Sequence, residues 1–214
     1  MGADRALYQA ILDGDAKLAR SLAEEAVSKG ADPQSLVDEQ MIPAMDEVGR
    51  LFECHEYFVP EMLIAARAMR SALEVVQSHL TLAQTESKGK VVIGTVKGDL
   101  HDIGKNLVGA MLQGGGYQIF DLGTDVPPEK FVKAIEEHNA SVVALSALLT
   151  TTMPEMKNVI EALVNAGIRQ RVKVLVGGAP VTAEFARQIG ADGYGETAVA
   201  AVGLTRSLGP TPTV

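Results

Sequence analysis

Residues 98–106, GDLHDIGKN, set an imidazole between two carboxylates, with a glycine near either end. Imidazole changes charge near neutral pH, offers a lone pair to a metal, and takes its tautomer from whatever its second nitrogen touches. A carboxylate two residues away suits that second nitrogen, because such a contact orients the ring and raises its basicity. Each residue also has a plainer role. His101 alone reads as a loop histidine satisfied by its neighbours, and Asp99 as a turn or helix-capping residue. Asp102 stands directly before a helical pattern and suits a cap. Which chemistry applies depends on what the chain brings beside this stretch.

The stretch leaves the apolar run VVIGTV and enters LVGAMLQ, so it is a turn between a buried strand and a helix. Further short, β-rich apolar runs follow: YQIFDLG, SVVALSAL and VKVLVGG, with ADGYGE as a short fifth candidate. Helical patterns lie between them near 104–113, 128–138, 153–166 and 182–189. Strands apolar on both faces, alternating with helices, predict a parallel sheet covered on both sides. Ligands of such sheets bind beyond the carboxyl ends of the strands. GDLHDIG, SALLTTT and GGAP occupy those ends and are expected along one edge. Neither a G-x-G-x-x-G turn nor a Walker lysine motif is present, which weakens dinucleotide and nucleoside-triphosphate readings.

Residues before 87 carry helical periods only. Asp4 is expected to cap a first helix with Leu7, Ile11 and Leu12. Asp15 is expected to cap a second, with Leu18, Leu22 and Ala26 on its inner face and Gly30 as its stop. Asp32 followed by Pro33 is a strong start signal for a third. Leu36, Val37, Ile42, Met45 and Val48 line that helix, and Pro43 is expected to kink it. A fourth runs from Pro60 through EMLIAARAMRSALEVVQSHLTLA. Short connections predict a four-helix bundle over 1–86, a polar linker over 84–90, and an α/β domain over 90–214.

At 47% apolar residues the chain builds a sizeable core, and a net charge of −8 excludes the basic footprint of a nucleic-acid binder. The same charge opposes an anionic membrane surface. The one cysteine, Cys54, permits no internal disulfide, which fits a reducing cytoplasmic setting. No apolar run reaches the roughly 18 residues of a spanning helix, and MGADRALYQAILDGD lacks the pattern of a secretory signal. Cys54, His55, His79 and His138 have only structural readings.

Asp99-x-His101-x-x-Gly104, then Ser146-x-Leu148, then Gly177-Gly178, resembles the binding signature of base-off, histidine-on cobalamin proteins. That group includes the cobalamin module of methionine synthase and the corrinoid carriers of methylamine and methanol methyltransferase systems. MIPAMDEVGRLFECHEYFVPEMLIAARAM resembles the helical cap of the same group, and the likeness spans about residues 5–203. The resemblance implies a bundle cap on a flavodoxin- or Rossmann-like doubly wound sheet. It implies that His101 ligates cobalt and Asp99 holds its other nitrogen. Thr152 stands where the family has a serine, completing a His101–Asp99–Thr152 relay. It further implies that Gly104 avoids crowding the corrin and that Ser146, Gly177 and Gly178 accommodate the cofactor's nucleotide tail. Leu148 and Asp102 join the cofactor-binding candidates, and Phe58 and Met62 are candidates for the upper-face cover.

The function so implied is a corrinoid carrier that shuttles a methyl group. One partner is a donor-specific methyltransferase, the other an acceptor methyltransferase. The cofactor is a cobalamin or related cobamide, methylated in turnover, and a reductive activase is a further partner. Nucleic acid and membrane are not expected as partners. A cobalamin-sensing regulatory module is the alternative within the same fold. A response-regulator or metal-hydrolase domain with Asp99, His101 and Asp102 as ligands is a third reading, which the glycine pair opposes.

Overall fold

The computed structural model describes residues 5–79 and 88–209. The chain divides into two compact units, Met1–Ser87 with Gln113–Gly116, and Lys88–Leu112 with Tyr117–Val214. Of the linker expected over 84–90, residues 84–87 lie outside the described residues, and Lys90 already begins a strand.

The first unit contains α1 (Ala6–Leu12), α2 (Ala16–Ser28), α3 (Pro33–Leu36), a wide π turn (Val37–Met41), α4 (Ile42–Glu53) and α5 (Val59–His79). Asp4, the expected cap of α1, lies outside the described residues, as do residues 80–83 of the expected fourth helix. Asp15 caps α2 by accepting the Leu18 N–H at 3.0 Å, and Asp32 caps α3 by accepting the Ser35 N–H at 2.9 Å. Phe58 opens α5 with its N–H on the Glu61 carboxylate at 2.9 Å, the reciprocal half of a capping box.

One expectation is corrected here. The inner face of α2 is Ala19 and Ala23, both fully buried, while Leu18 is 48% exposed. This helix packs mainly on α5, whose Ala65, Ala68 and Ala72 are also fully buried. Alanine lets two helices approach closely, and a leucine in the seam would hold them apart. At Pro43 the helical ladder widens: a π turn over Val37–Met41 leads directly into α4, where the proline lacks an N–H to give. Val37, Met41, Ile42, Met45 and Val48 stay buried across the change.

The second unit contains β1 (Lys90–Thr95), α6 (Ile103–Gly114, except its last two residues), β2 (Gln118–Asp121), α7 (Pro128–His138), β3 (Val142–Ser146), α8 (Pro154–Asn165), β4 (Lys173–Gly177), α9 (Ala183–Ile189), β5 (Gly193–Gly195) and α10 (Ala198–Leu208). All strand pairs are parallel, in the order β2-β1-β3-β4-β5. Val92, Val143, Val174, Leu145 and Val176 join Phe131, Met156, Ile160 and Leu163 in one buried cluster. Val91, Ile93, Val142 and Leu175 on the alternate positions are buried too, so β1, β3 and β4 are covered on both sides. The helix α10 was not among the expected elements; Thr197 caps it by accepting the Ala200 N–H at 3.0 Å. Strand order reverses direction between β1 and β3, so their carboxyl ends flank the crevice where such sheets bind ligands.

The bundle seam generates a prediction. Ala23→Leu is expected to lower stability by about 1–3 kcal/mol through overpacking, whereas Leu18→Ser is expected to stay within about 0.5 kcal/mol of the parent. Urea unfolding followed by circular dichroism measures both, and equal effects would refute the alanine seam.

Candidate functional site

The parallel register sets Thr95 at the end of β1 beside Ser146 at the end of β3, and Ser146 beside Gly177 at the end of β4. The three motif stretches therefore emerge side by side. Val96 N–H still reaches the Ser146 carbonyl at 3.0 Å, and Ala147 N–H reaches the Gly177 carbonyl at 3.2 Å. From there the first loop turns back so that Asp99 points under it.

Asp99 is fully buried. Its Oδ1 accepts the His101 backbone N–H at 3.0 Å and pairs with His101 Nδ1 at 2.8 Å. Its Oδ2 accepts the Leu148 N–H at 2.7 Å, the Leu149 N–H at 3.3 Å and the Thr152 hydroxyl at 2.7 Å. Thr152 Oγ1 also lies 2.9 Å from the Leu149 carbonyl, but its single proton is stronger on the charged acceptor. Burial by itself pushes the Asp99 carboxyl up. The bonds from Leu148, His101 and Thr152 outweigh that and hold it far below the usual carboxylate range. Asp99 is therefore an anion, and an anion only accepts. It assigns the proton to His101 Nδ1 and leaves the Nε2 lone pair free on a ring that is 51% exposed.

Around that ring the loops present apolar side chains to solvent: Leu100 and Ile103 are 73% and 79% exposed, Leu148 and Leu149 each 42%. Large apolar groups turned outward around one basic nitrogen mark a binding surface, since a monomer surface does not normally gather them. Gly104 sits in the first turn of α6 with open space where a Cβ would be. Asp102 precedes that helix and holds the Asn106 amide at 3.0 Å. Ser146 is half-buried at the strand end.

The glycine pair has an intramolecular cause that its sequence reading lacked. A Cβ on Gly178, whose φ is +130°, would stand 1.9 Å from the Ala147 carbonyl oxygen, and one on Gly177 would stand 2.9 Å from that of Gly195. The closing of β3, β4 and β5 itself requires both glycines. In the other unit, Phe58 is 61% exposed while Met62 is fully buried.

Sequence reasoning missed four groups that touch this loop. The backbone amides of Leu148 and Leu149 carry no side-chain signal. Thr95, fully buried, donates its hydroxyl to the His101 carbonyl at 2.8 Å; it is the one polar residue in an otherwise apolar run. Asp125 accepts the Gly98 N–H at 2.7 Å and donates its own N–H to the Asp99 carbonyl at 2.9 Å. The metal-hydrolase reading loses its ligands, because both Asp99 oxygens are taken by protein donors. Among the described residues no group of three or more acidic, histidine or cysteine side chains is arranged to hold a metal.

A doubly wound sheet whose switch point offers one free imidazole nitrogen within an apolar surround defines a cofactor-binding protein. Residues 89–203 match the B12 binding domain, and residues 3–77 match a second family of the same description. The chain belongs to the B12-binding family, and its cofactor is a cobalamin or related cobamide. It is 45% identical over 201 residues to trimethylamine corrinoid protein 1 of Methanosarcina acetivorans, covering 93% of each chain. It is 42% identical over 205 residues to a corrinoid protein of Desulfitobacterium hafniense, covering 94% of this chain and 95% of that one. Among solved structures it is similar to the methanol:cobalamin methyltransferase complex of Methanosarcina barkeri, with a TM-score of 0.87, 32% identity, and coverage of 97% of this chain and 80% of that one. A cobalamin-binding protein of Desulfitobacterium hafniense matches with a TM-score of 0.78 and 31% identity over 95% of this chain and 97% of that one. The donor set fits the group: one imidazole with its far nitrogen pinned, an apolar rim for a flat macrocycle, and clear space at Gly104.

The buried anion has a pH signature. The folded carboxyl of Asp99 is depressed, so its contribution to stability is full above the unfolded value of about 4 and is lost as pH falls toward the folded one. Asp99→Asn removes that contribution. The stability gap between parent and Asp99→Asn is expected to narrow as pH drops from about 5 to about 2, and urea midpoints across that range measure it. A constant gap would mean that Asp99 is not held ionised by its donors.

Proposed function

We propose that the protein is the corrinoid carrier subunit of a methyltransferase system, holding its cobamide base-off with His101 Nε2 as the lower axial ligand. The observation that carries this reading is the His101–Asp99 contact at 2.8 Å, which commits Nδ1 to the buried anion and leaves Nε2 as the only ring lone pair. When bound, the cofactor supplies the chemistry, accepting a methyl group at its metal and giving it up again.

The chain's own residues set the conditions. His101 would hold the cofactor through Nε2, and Asp99 fixes the tautomer and orientation of its ring. Thr152 and the Leu148 amide hold Asp99 in place. The buried Asp99 carboxylate would keep a proton on His101 Nδ1 and so hold Nε2 as the nitrogen presented to the cofactor. Ser146 at the end of β3 and Gly177 and Gly178 at the end of β4 form the wall offered to the nucleotide tail, and Leu148, Gly104 and Asp102 belong to the same binding surface. Phe58, exposed in the helical unit, is the aromatic proposed as cofactor cover; Met62 is buried.

Partners follow from the relatives. A donor-specific methyltransferase loads the carrier and an acceptor methyltransferase unloads it, with a reductive activase restoring a cofactor lost to oxidation. The complex of methanol:cobalamin methyltransferase supports direct pairing with a methyltransferase chain. Relatives named for trimethylamine and dimethylamine support a methylated amine as donor class. No described helix is long and apolar enough to cross a membrane, and the reducing cytoplasm is the proposed setting.

Two measurements test the reading. Protein carrying 15N-histidine, loaded with cobalamin and reduced to the Co(II) state, is expected to show electron-paramagnetic hyperfine splitting that changes from the 14N to the 15N pattern. His101→Ala should abolish the change while retaining part of the cofactor. Splitting indifferent to the histidine label would reject His101 as ligand. Separately, methyl transfer reconstituted with candidate donor methyltransferases is expected only with one donor class.

A further inference from the structure

The His101–Asp99 pair is held together locally, two residues apart, and nothing in that contact by itself says where the pair stands relative to the sheet. The loop that carries it must therefore be fixed from outside. Between Thr95 and His101 the chain leaves β1, reverses and returns. At the base of this excursion the fully buried Thr95 hydroxyl meets the His101 carbonyl at 2.8 Å and closes the loop on itself. At its tip Asp125 binds both sides of one residue pair: its carboxylate takes the Gly98 N–H at 2.7 Å, and its backbone N–H reaches the Asp99 carbonyl at 2.9 Å.

Asp125 is itself immobilised. The stretch after β2 continues along the end of β1, with Thr95 N–H on the Gly123 carbonyl at 3.0 Å and Val126 N–H on the Thr95 carbonyl at 3.0 Å. Its backbone is left-handed, φ +53°, a conformation that aspartate, asparagine and glycine tolerate and other residues resist. Gly98 opposite is also left-handed, φ +79°. Two left-handed residues, with Asp125 accepting from Gly98 and donating to the Asp99 carbonyl, are not needed to end a strand. A simpler turn would do so. They fix the peptide that carries Asp99, and hence the imidazole.

We propose that Thr95 and Asp125 are positioning residues for the axial ligand, clamping loop 95–101 at base and tip so that Asp99 and His101 present Nε2 at one height above the sheet. The proposal rests on His101 being that ligand. Neither residue touches the cofactor; each acts through the backbone. Loss of either bond frees the loop to sample positions in which the Asp99 anion no longer meets both the Leu148 amide and the ring.

The two bonds are separable by substitution. Asp125→Gly keeps the left-handed conformation and removes the acceptor, whereas Asp125→Asn keeps both. Thr95→Val keeps shape and removes the donor, whereas Thr95→Ser keeps it. Two readouts apply. In the apo-protein, long-range 1H–15N spectra at about pH 8, where an ordinary imidazole is neutral, report the tautomer of His101. The parent is expected to show Nδ1–H alone, Asp125→Gly and Thr95→Val a mixture with Nε2–H, and Asp125→Asn and Thr95→Ser the parent pattern. In the cobalamin-loaded Co(II) protein, the ratio of histidine-bound to histidine-free spectra is expected to fall about tenfold in Asp125→Gly, the worth of one hydrogen bond at the upper end of its net range. Near-ultraviolet circular dichroism confirms that each variant is folded. If Thr95→Val does not fold, the Asp125 pair decides alone. Single-tautomer spectra and an unchanged ratio in folded Asp125→Gly would overturn the clamp. Absence of histidine coupling in the parent would instead reject His101 as ligand, while the apo-protein spectra would still decide whether the loop is clamped.

Discussion

One buried anion organises the second unit. Taking a carboxylate out of water costs several kcal/mol, and Asp99 is fully buried. It is tolerable because five donors converge on it: the His101 amide and ring, the Leu148 and Leu149 amides, and the Thr152 hydroxyl. Hydrogen bonds to a charged group contribute roughly 1.5–3 kcal/mol each, enough together to offset the desolvation. The arrangement works in one direction only. With the anion in place the imidazole has one tautomer and one free lone pair. Remove the anion and the ring becomes an ordinary half-exposed histidine.

That convergence requires β1 and β3 to be neighbours, since the carboxylate comes from one loop and three of its donors from the other. The order β2-β1-β3-β4-β5 supplies it. Parallel pairing sends both loops out at the same edge, and the reversal of strand order between them leaves a crevice that no crossover helix fills. The close approach of Gly178 to Ala147 brings β4 into the same edge. The site is a consequence of topology, with backbone amides contributing as much as side chains. The bundle solves a different problem by a different means: its α2–α5 seam uses alanine to bring backbones together, and the π turn before Pro43 keeps Val37, Met41, Ile42, Met45 and Val48 in one core.

The alternation of apolar runs with helical patterns was enough to locate all five strands and four of the helices of the second unit, most plainly β1, β3 and β4, because strands buried on both sides lack polar interruptions. It did not reveal α10, where AVAAVGLTRSL mixes alanine, glycine and valine without a clear stripe. In the bundle, capping residues marked helix starts at Asp15 and Asp32, whose short-range bonds depend only on nearby sequence. The inner face of α2 was misjudged because leucine outranks alanine in any hydrophobic pattern, whereas close packing ranks them by size.

Taken alone, the amino-acid sequence determined which residues are present for chemistry, which periods they sit in, and, through Asp99-x-His101-x-x-Gly104 with its spaced partners, which family they resemble. Those are matters of order along the chain. What only the tertiary structure decided is who touches Asp99, that Thr95 and Asp125 hold its loop, and that Gly178 is required by the Ala147 carbonyl. Backbone amides have no letter in the sequence, and residues such as Leu148 and Asp99 meet only after parallel strands have been brought side by side, so their contacts are properties of the folded chain.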